Sequence, residues 1–367
     1  MTGTARAWGW YAHLRDGGTT AWCDWAGTGP VAAPRLPGAQ QLELLRRVNR
    51  LAGAAGPAAD VVEDLLAADP PRRERPDLPL VDGPPVPDHG PRPVDPAALP
   101  AHELLGLLAV VLARRLARRT APQPPVGRVR PWAPRYHLYG DPELARVVRR
   151  HLVARGRPEA THGGRALVLG DDVGRMLADL WTDRALGVGG ASWPEWWRRW
   201  VRSDRLPVAA DLARVAEEAR RRPGVRGVEI VLDPAAAVRR VGVRRAPEAP
   251  RPLAAAAVEL GRLTAAELRP LVEPGRRDLL VSEVLRPRLA TVPGAPLAVP
   301  RAHRDWVAEQ ADQLIARLGR QPDRYPVLGD LAALRPAAPS GRPGAGTIRP
   351  RRTLAAGIRL LLDEELP

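Results

Sequence analysis

The chain has 367 residues, 45% of them hydrophobic, with a formal net charge of +15 and an isoelectric point near 11.3. That length supports one large domain or two of ordinary size with a substantial core. A single cysteine, Cys23, excludes an internal disulfide framework and any Cys-based zinc cluster within one chain, and fits a reducing compartment.

The composition is skewed, with 42 Pro, 34 Gly, no Phe, one Asn (Asn49) and arginine in place of every lysine. GC-rich coding produces each of these shifts, which points to a high-GC bacterial source. The same bias discounts the positive charge as a marker of polyanion binding.

No apolar run of signal-peptide length follows Met1, so a cytoplasmic location is expected. Leu42, Leu44, Leu45, Val48 and Leu51 recur at helical spacing, as do Val61, Val62, Leu65 and Leu66, which makes residues 1–69 a mainly helical segment. Stretches dense in Pro and charge at 70–100 and 122–134 read as linkers, so 70–134 is expected to be a Pro-rich linker carrying one helix over 101–119. The apolar run at 104–112 in that helix is about half a bilayer span and runs into arginines, so the helix is expected to pack on a core and not to cross a membrane.

From residue 135 the rhythm changes. Short apolar runs at 136–139 and 166–169 each close on Gly-Asp and each precede a helical pattern; a third run at 228–232 follows a helix predicted over 209–222. This order implies an α/β domain over 135–336, a small parallel sheet of three to five strands flanked by helices, with the helical N-terminal part packed on it. Such a fold places chemistry in the crevice outside the carboxyl ends of the strands, here the turns after the first two. Residues 337–367 read as a basic linker and a short terminal helix, for which packing is favoured over membrane-surface or partner docking.

Trp193, Trp196, Trp197 and Trp200 fall on one helical face behind a Ser192–Glu195 capping box, and are expected to be a bulky core stripe more than an aromatic ligand platform. The seven histidines show no metal-ligand spacing. His137 and His162, placed near the predicted strands, are the candidates for a general base. Asp171 and Asp172 have the pairing that can hold a hard cation, although capping of the helix from residue 173 is the favoured role. A nucleophile elbow is absent, and the P-loop signature is ruled out by the lack of lysine.

Residues 136–200 resemble the bacterial sulfotransferase-like P-loop family, whose members transfer a sulfuryl group from 3′-phosphoadenosine-5′-phosphosulfate. In that family a strand opens a Lys-x-Gly-Thr-Thr loop; here Tyr136-His137-Leu138-Tyr139-Gly140 leads instead into Asp141-Pro142-Glu143-Leu144-Ala145-Arg146. The family's second signature, a strand ending in Arg-Asp-Pro followed by Ser and Trp, aligns with 167–172, Ala178 and Trp181, where Gly170 and Ala178 replace the residues that grip the 3′-phosphate. Tyr325-Pro326-Val327-Leu328-Gly329-Asp330-Leu331 looks like its closing motif, so the likeness spans roughly 135–336.

The resemblance implies a sulfotransferase-like P-loop topology with a degenerate donor site. Carboxylates at Asp141 and Glu143 replace the lysine and hydroxyls that would neutralise a phosphosulfate, and at ~4 Å and an effective dielectric of ~20 each like-charge contact costs about 4 kcal/mol. The leading expectation is a non-catalytic protein without a cofactor that binds a protein partner or a glycan-related ligand. Two alternatives remain open. One is a divergent sulfotransferase, with Arg146 and Arg175 on the donor phosphates and His137 or Asp171 as base. The other is a polyanion-binding protein using Arg114 to Arg119 and Arg220 to Arg222, for which nucleic acid is the less favoured partner.

Overall fold

A computed structural model describes residues 2–69, 77–85, 89–122, 132, 134–249, 251–337 and 347–363. Four parallel strands, β1 (Tyr136–Gly140), β2 (Gly164–Leu169), β3 (Val225–Val231) and β4 (Val327–Leu328), lie side by side in chain order. The period-two alternation of a strand divides their side chains between two faces. Leu167, Leu169 and Val231 face a smaller core with Tyr136, Leu138 and the helices α5 (Pro142–Val153) and α9 (Pro234–Arg240). Ala166, Val168, Val228 and Ile230 face the larger core, which includes α6 (Val173–Val188) and α8 (Leu212–Arg220). Central parallel strands buried on both faces explain why they read as near-continuous apolar runs.

Each strand is followed by an aspartate that begins the next helical element. The side chains of Asp141, Asp172, Asp233 and Asp330 accept hydrogen bonds from the backbone N–H groups of Leu144, Arg175, Ala235 and Ala332, at 2.8, 2.8, 2.8 and 2.9 Å. These caps satisfy donors that a helix start leaves open. At the end of β1 the chain also turns through Gly140 at φ +89°, where a Cβ would lie 2.1 Å from the Leu169 carbonyl oxygen, so a side chain is barred there.

The larger core continues into a layer of helices: α1 (Gly3–Arg15), α2 (Ala39–Ala52), α3 (Ala59–Leu66), α4 (Ala101–Ala117), α10 (Ala255–Leu268) and α14 (Pro350–Leu362). The helix expected within 70–134 is α4, and it packs on this core. Helix α4 packs against α2, α10 and α14, with Leu104, Leu107, Leu108 and Val111 fully buried at helical spacing. Its flanks are rich in proline, but its apolar face is too wide to be left in solvent. Parts of the Pro-rich stretches, 70–76, 86–88, 123–131, 133 and 338–346, lie outside the described residues.

On α2 the apolar stripe is buried except for Leu51, which points outward at 42% exposure. Beside it Asn49 is buried and donates from Nδ2 to the Leu14 and Gly18 carbonyls at 2.7 and 2.8 Å, satisfying the end of α1. No helix among the described residues is long and apolar enough to cross a membrane.

Helix α7 (Trp193–Ser203) starts at the predicted capping box, with Glu195 accepting from the Ser192 N–H at 2.8 Å. Its tryptophans form core: Trp193, Trp196 and Trp197 are buried and pack edge-on, with Trp193 and Trp197 centroids 5.3 Å apart.

Between β3 and β4 the chain also forms α11 (Pro274–Leu279), a π-helical turn (Leu280–Leu285), α12 (Arg286–Leu289) and α13 (Arg304–Gly319).

Candidate functional site

The turns after β1 and β2 bring α5 and α6 together, so that the capping Asp141 meets Glu143 in the first turn of α5 and Asp179 in the second turn of α6. Asp141, Glu143 and Asp179 are all buried. Three arginines meet them. Arg146 pairs with Glu143 at 2.6 Å, Arg286 of α12 reaches the other oxygen of Glu143, and Arg175 pairs with Asp179 at 2.7 Å. Removing such charges from water is costly, and pairing is what makes their burial tolerable.

Two of the carboxyl groups are displaced from their ordinary titration range. Burial raises Asp179 to about 7, against the opposing pull of Arg175 and with a further push from Glu143. Asp141 is held well above the usual carboxylate range by burial and by the Asp179 charge, against the Leu144 N–H that favours the anion. Its second oxygen, Oδ2, makes no hydrogen bond among the described residues.

This corrects the electrostatic expectation for the β1–α5 turn. Asp141 is biased toward its neutral form and Glu143 is matched by two arginines, so the turn is not a bare patch of negative charge. It is closed instead: the Asp141 side chain already occupies an N–H at the start of α5, the position where a phosphate-binding loop offers its donors.

Of the predicted site residues, Asp171, Arg146 and Arg175 border this cluster. Asp171 accepts from the Asp172 N–H at 2.8 Å, and Asp172 takes the favoured capping role. His137 is not brought to them. It pairs with Ala166 in the register of β1 and β2, five positions before Asp171 and thus ~16 Å away along the strand. There its Nε2 hydrogen-bonds the Gly163 carbonyl at 2.9 Å. His162 is exposed at the same remote end. The described residues contain no group of three or more His, Cys, Asp or Glu arranged to hold a metal ion.

Beside the acidic cluster opens a cleft of about 1300 Å³, large for a small-molecule site. Glu143, Asp179 and Arg286 lie at its buried floor, and the N-terminal turns of α6 and α7 form one side. The opposite wall is the segment 295–301, held by the hydrogen bond from the Ala255 N–H to the Ala295 carbonyl and continuing into α13. Trp197 is stacked on His303 across the cleft, with centroids 5.4 Å apart and planes at 22°.

Local spacing marks some of these residues. Arg175 and Asp179 stand four apart on α6, and Glu143 and Arg146 three apart on α5, which is ion-pair spacing on a helix. Arg286, Arg301 and Arg304 are more than a hundred residues from the strands they join, and no local pattern marks them.

Three arginines of the stretch near residue 115 are engaged inside the fold. Arg115 pairs with Asp60 and Asp64 at 2.8 Å, Arg118 with Asp64 at 2.7 Å, and Arg114 with Asp69 at 3.5 Å, tying α4 to α3 and the chain just after it.

The fold and site define an α/β protein with a sequentially ordered parallel sheet, a closed first strand–helix turn and an open cleft beside it. No family model matches the chain, and neither a curated protein nor a solved structure matches it.

Proposed function

We propose that this chain is a non-catalytic binding protein of sulfotransferase-like descent, one that has closed its sulfuryl-donor site and holds a ligand in the adjacent cleft. The observation that carries this reading is the β1–α5 turn. Asp141, 0% exposed, uses its own carboxyl to cap the helix through Leu144 at 2.8 Å, so the donors a phosphosulfate needs are consumed by the fold. The arginines nearest that turn are also engaged, Arg146 with Glu143 and Arg175 with Asp179. A wide cleft with charged and apolar walls remains open, which is the form of a ligand site.

Isothermal titration with 3′-phosphoadenosine-5′-phosphate at moderate salt tests the reading, with no binding as the expected result. Micromolar binding that disappears in Arg146→Ala would overturn it in favour of a divergent transferase, because Arg146 serves the donor turn and does not line the cleft.

A further inference from the structure

Six arginines line the cleft: Arg175, Arg198, Arg286, Arg301, Arg304 and Arg335. Five carboxylates, Glu143, Asp172, Asp179, Asp305 and Asp312, oppose them. Three of the arginines are spent on the cleft's own acids, Arg175 on Asp179, Arg286 on Glu143 and Arg335 on Asp312. Arg198, which faces Glu195 on α7, Arg301, in the 3-10 turn before α13, and Arg304, the first residue of α13, are exposed at the mouth. Their side chains make no hydrogen bond or ion pair among the described residues.

The floor acids are already met, Glu143 by Arg146 and Arg286 and Asp179 by Arg175, so the uncompensated charge lies at the mouth. A neutral ligand would leave the mouth arginines unmatched, whereas a carboxylate offers them acceptors, and the apolar walls beside them favour a ligand charged at one end only.

Apart from Thr182, His303 and Thr347, most of the rest of the lining is apolar, with Leu253, Leu297, Val299, Pro300, Val307 and Ile348 among it. Trp197 lines the cleft at 1% exposure.

We infer that the cleft binds an amphiphilic monocarboxylate, an apolar body ending in one carboxylate, with the carboxylate held by Arg198, Arg301 and Arg304 and the body laid against the Leu297–Val299 wall. The planar fork of a guanidinium suits the two oxygens of a carboxylate. This inference rests on the proposal that the protein acts by binding a ligand in this cleft.

The probes are octanoate, octan-1-ol and acetate, followed by quenching of intrinsic tryptophan fluorescence, since Trp193 and Trp197 line the cleft. Saturable one-to-one octanoate binding is expected, with octan-1-ol at least tenfold weaker and acetate without effect. The double substitution Arg301→Ala/Arg304→Ala is expected to weaken octanoate at least tenfold and to leave octan-1-ol unchanged. Both arginines are exposed and unpaired, so the variant should keep the wild-type melting temperature.

Equal affinity for octanoate and octan-1-ol would overturn the inference, as would octanoate binding that ignores the double substitution. An absence of saturable octanoate binding by both fluorescence and calorimetry would overturn it too. That failure, together with no binding of 3′-phosphoadenosine-5′-phosphate, removes the ligand class and leaves the binding-protein reading standing. Arg146-dependent nucleotide binding removes the functional reading itself.

Discussion

Asp179→Asn separates the buried acidic cluster from the rest of the protein's pH response. The Asp179 carboxyl is raised from an ordinary 3.8 to about 7, first by burial. A carboxyl raised on folding binds more protons in the native than in the unfolded state between those two values. Its contribution to stability is therefore present at low pH, declines as pH rises from about 4 to 7, and is constant above. Two of those pH units lie above pH 5, and at 1.36 kcal/mol per unit the wild type should lose about 3 kcal/mol between pH 5 and 8. For a chain of this length that is about 4 °C in melting temperature.

Other groups do not mask the effect. Glu217, lowered to about 2 chiefly by Arg324, and Asp64, lowered by Arg118 and Arg115 against burial, complete their titration below pH 5. His151, lowered by burial, acts in the opposite sense up to about pH 6.5, but it is mostly solvent-screened. Asp141, Asp172 and Asp183, each raised first by burial, act in the same sense as Asp179 and remain in the variant. Thermal melts by circular dichroism at pH 5, 6, 7 and 8 should show a clear decline for the wild type and a flatter one for Asp179→Asn. Equal slopes would refute the assignment of the proton to this cluster.

Two further substitutions test the framework that holds the cleft. Ser192→Ala removes the hydroxyl from the capping box of α7 and should cost about 1 kcal/mol in urea denaturation, without altering the pH slope. At the α4–α14 contact a Cβ on Gly357 would lie 2.5 Å from Leu108 Cδ2, so Gly357→Ala should cost about 1–3 kcal/mol by overpacking. Leu108→Ala alone should cost about 2–5 kcal/mol. In the double variant the new methyl enters the vacated space, so the two costs should fall short of additivity; strict additivity would show that the helices do not meet there.

The α/β class was legible because strands buried on both faces leave unbroken apolar runs, and residues 166–169 and 228–232 did so. The start of α7 was legible because a capping box is a four-residue code that needs no tertiary partner. Helix α4 was legible as a core-packing helix from its apolar run, but its partners were not, because Leu104, Leu107, Leu108 and Val111 meet α10 and α14 from far along the chain. The candidate site was half legible for the same reason. Asp171 and Arg175 sit beside a strand whose end can be read locally, while Arg286, Arg301 and Arg304 arrive from a region with no strand of its own. His137 was misplaced by parity and position: a residue early in β1 belongs to the other end of the sheet from Asp171.

The acidic floor of the cleft has a structural origin that bears on what the site can do. All four strands end in a capping aspartate, and a parallel sheet sets every such end on one edge, so capping alone concentrates carboxyl groups there. At the β3 and β4 ends the aspartates are more open to solvent and need little compensation. Between β1 and β2 the edge is covered, and burial forces two remedies: proton retention on Asp141 and Asp179, and recruitment of Arg146, Arg175 and Arg286. An anion loop at β1 would need those same helix N–H groups and arginines free. Capping and anion binding compete for one set of donors, and in this chain capping has taken them; the arginines left unpaired are those at the mouth of the cleft, which is why the proposed ligand site lies there and not at the strand end.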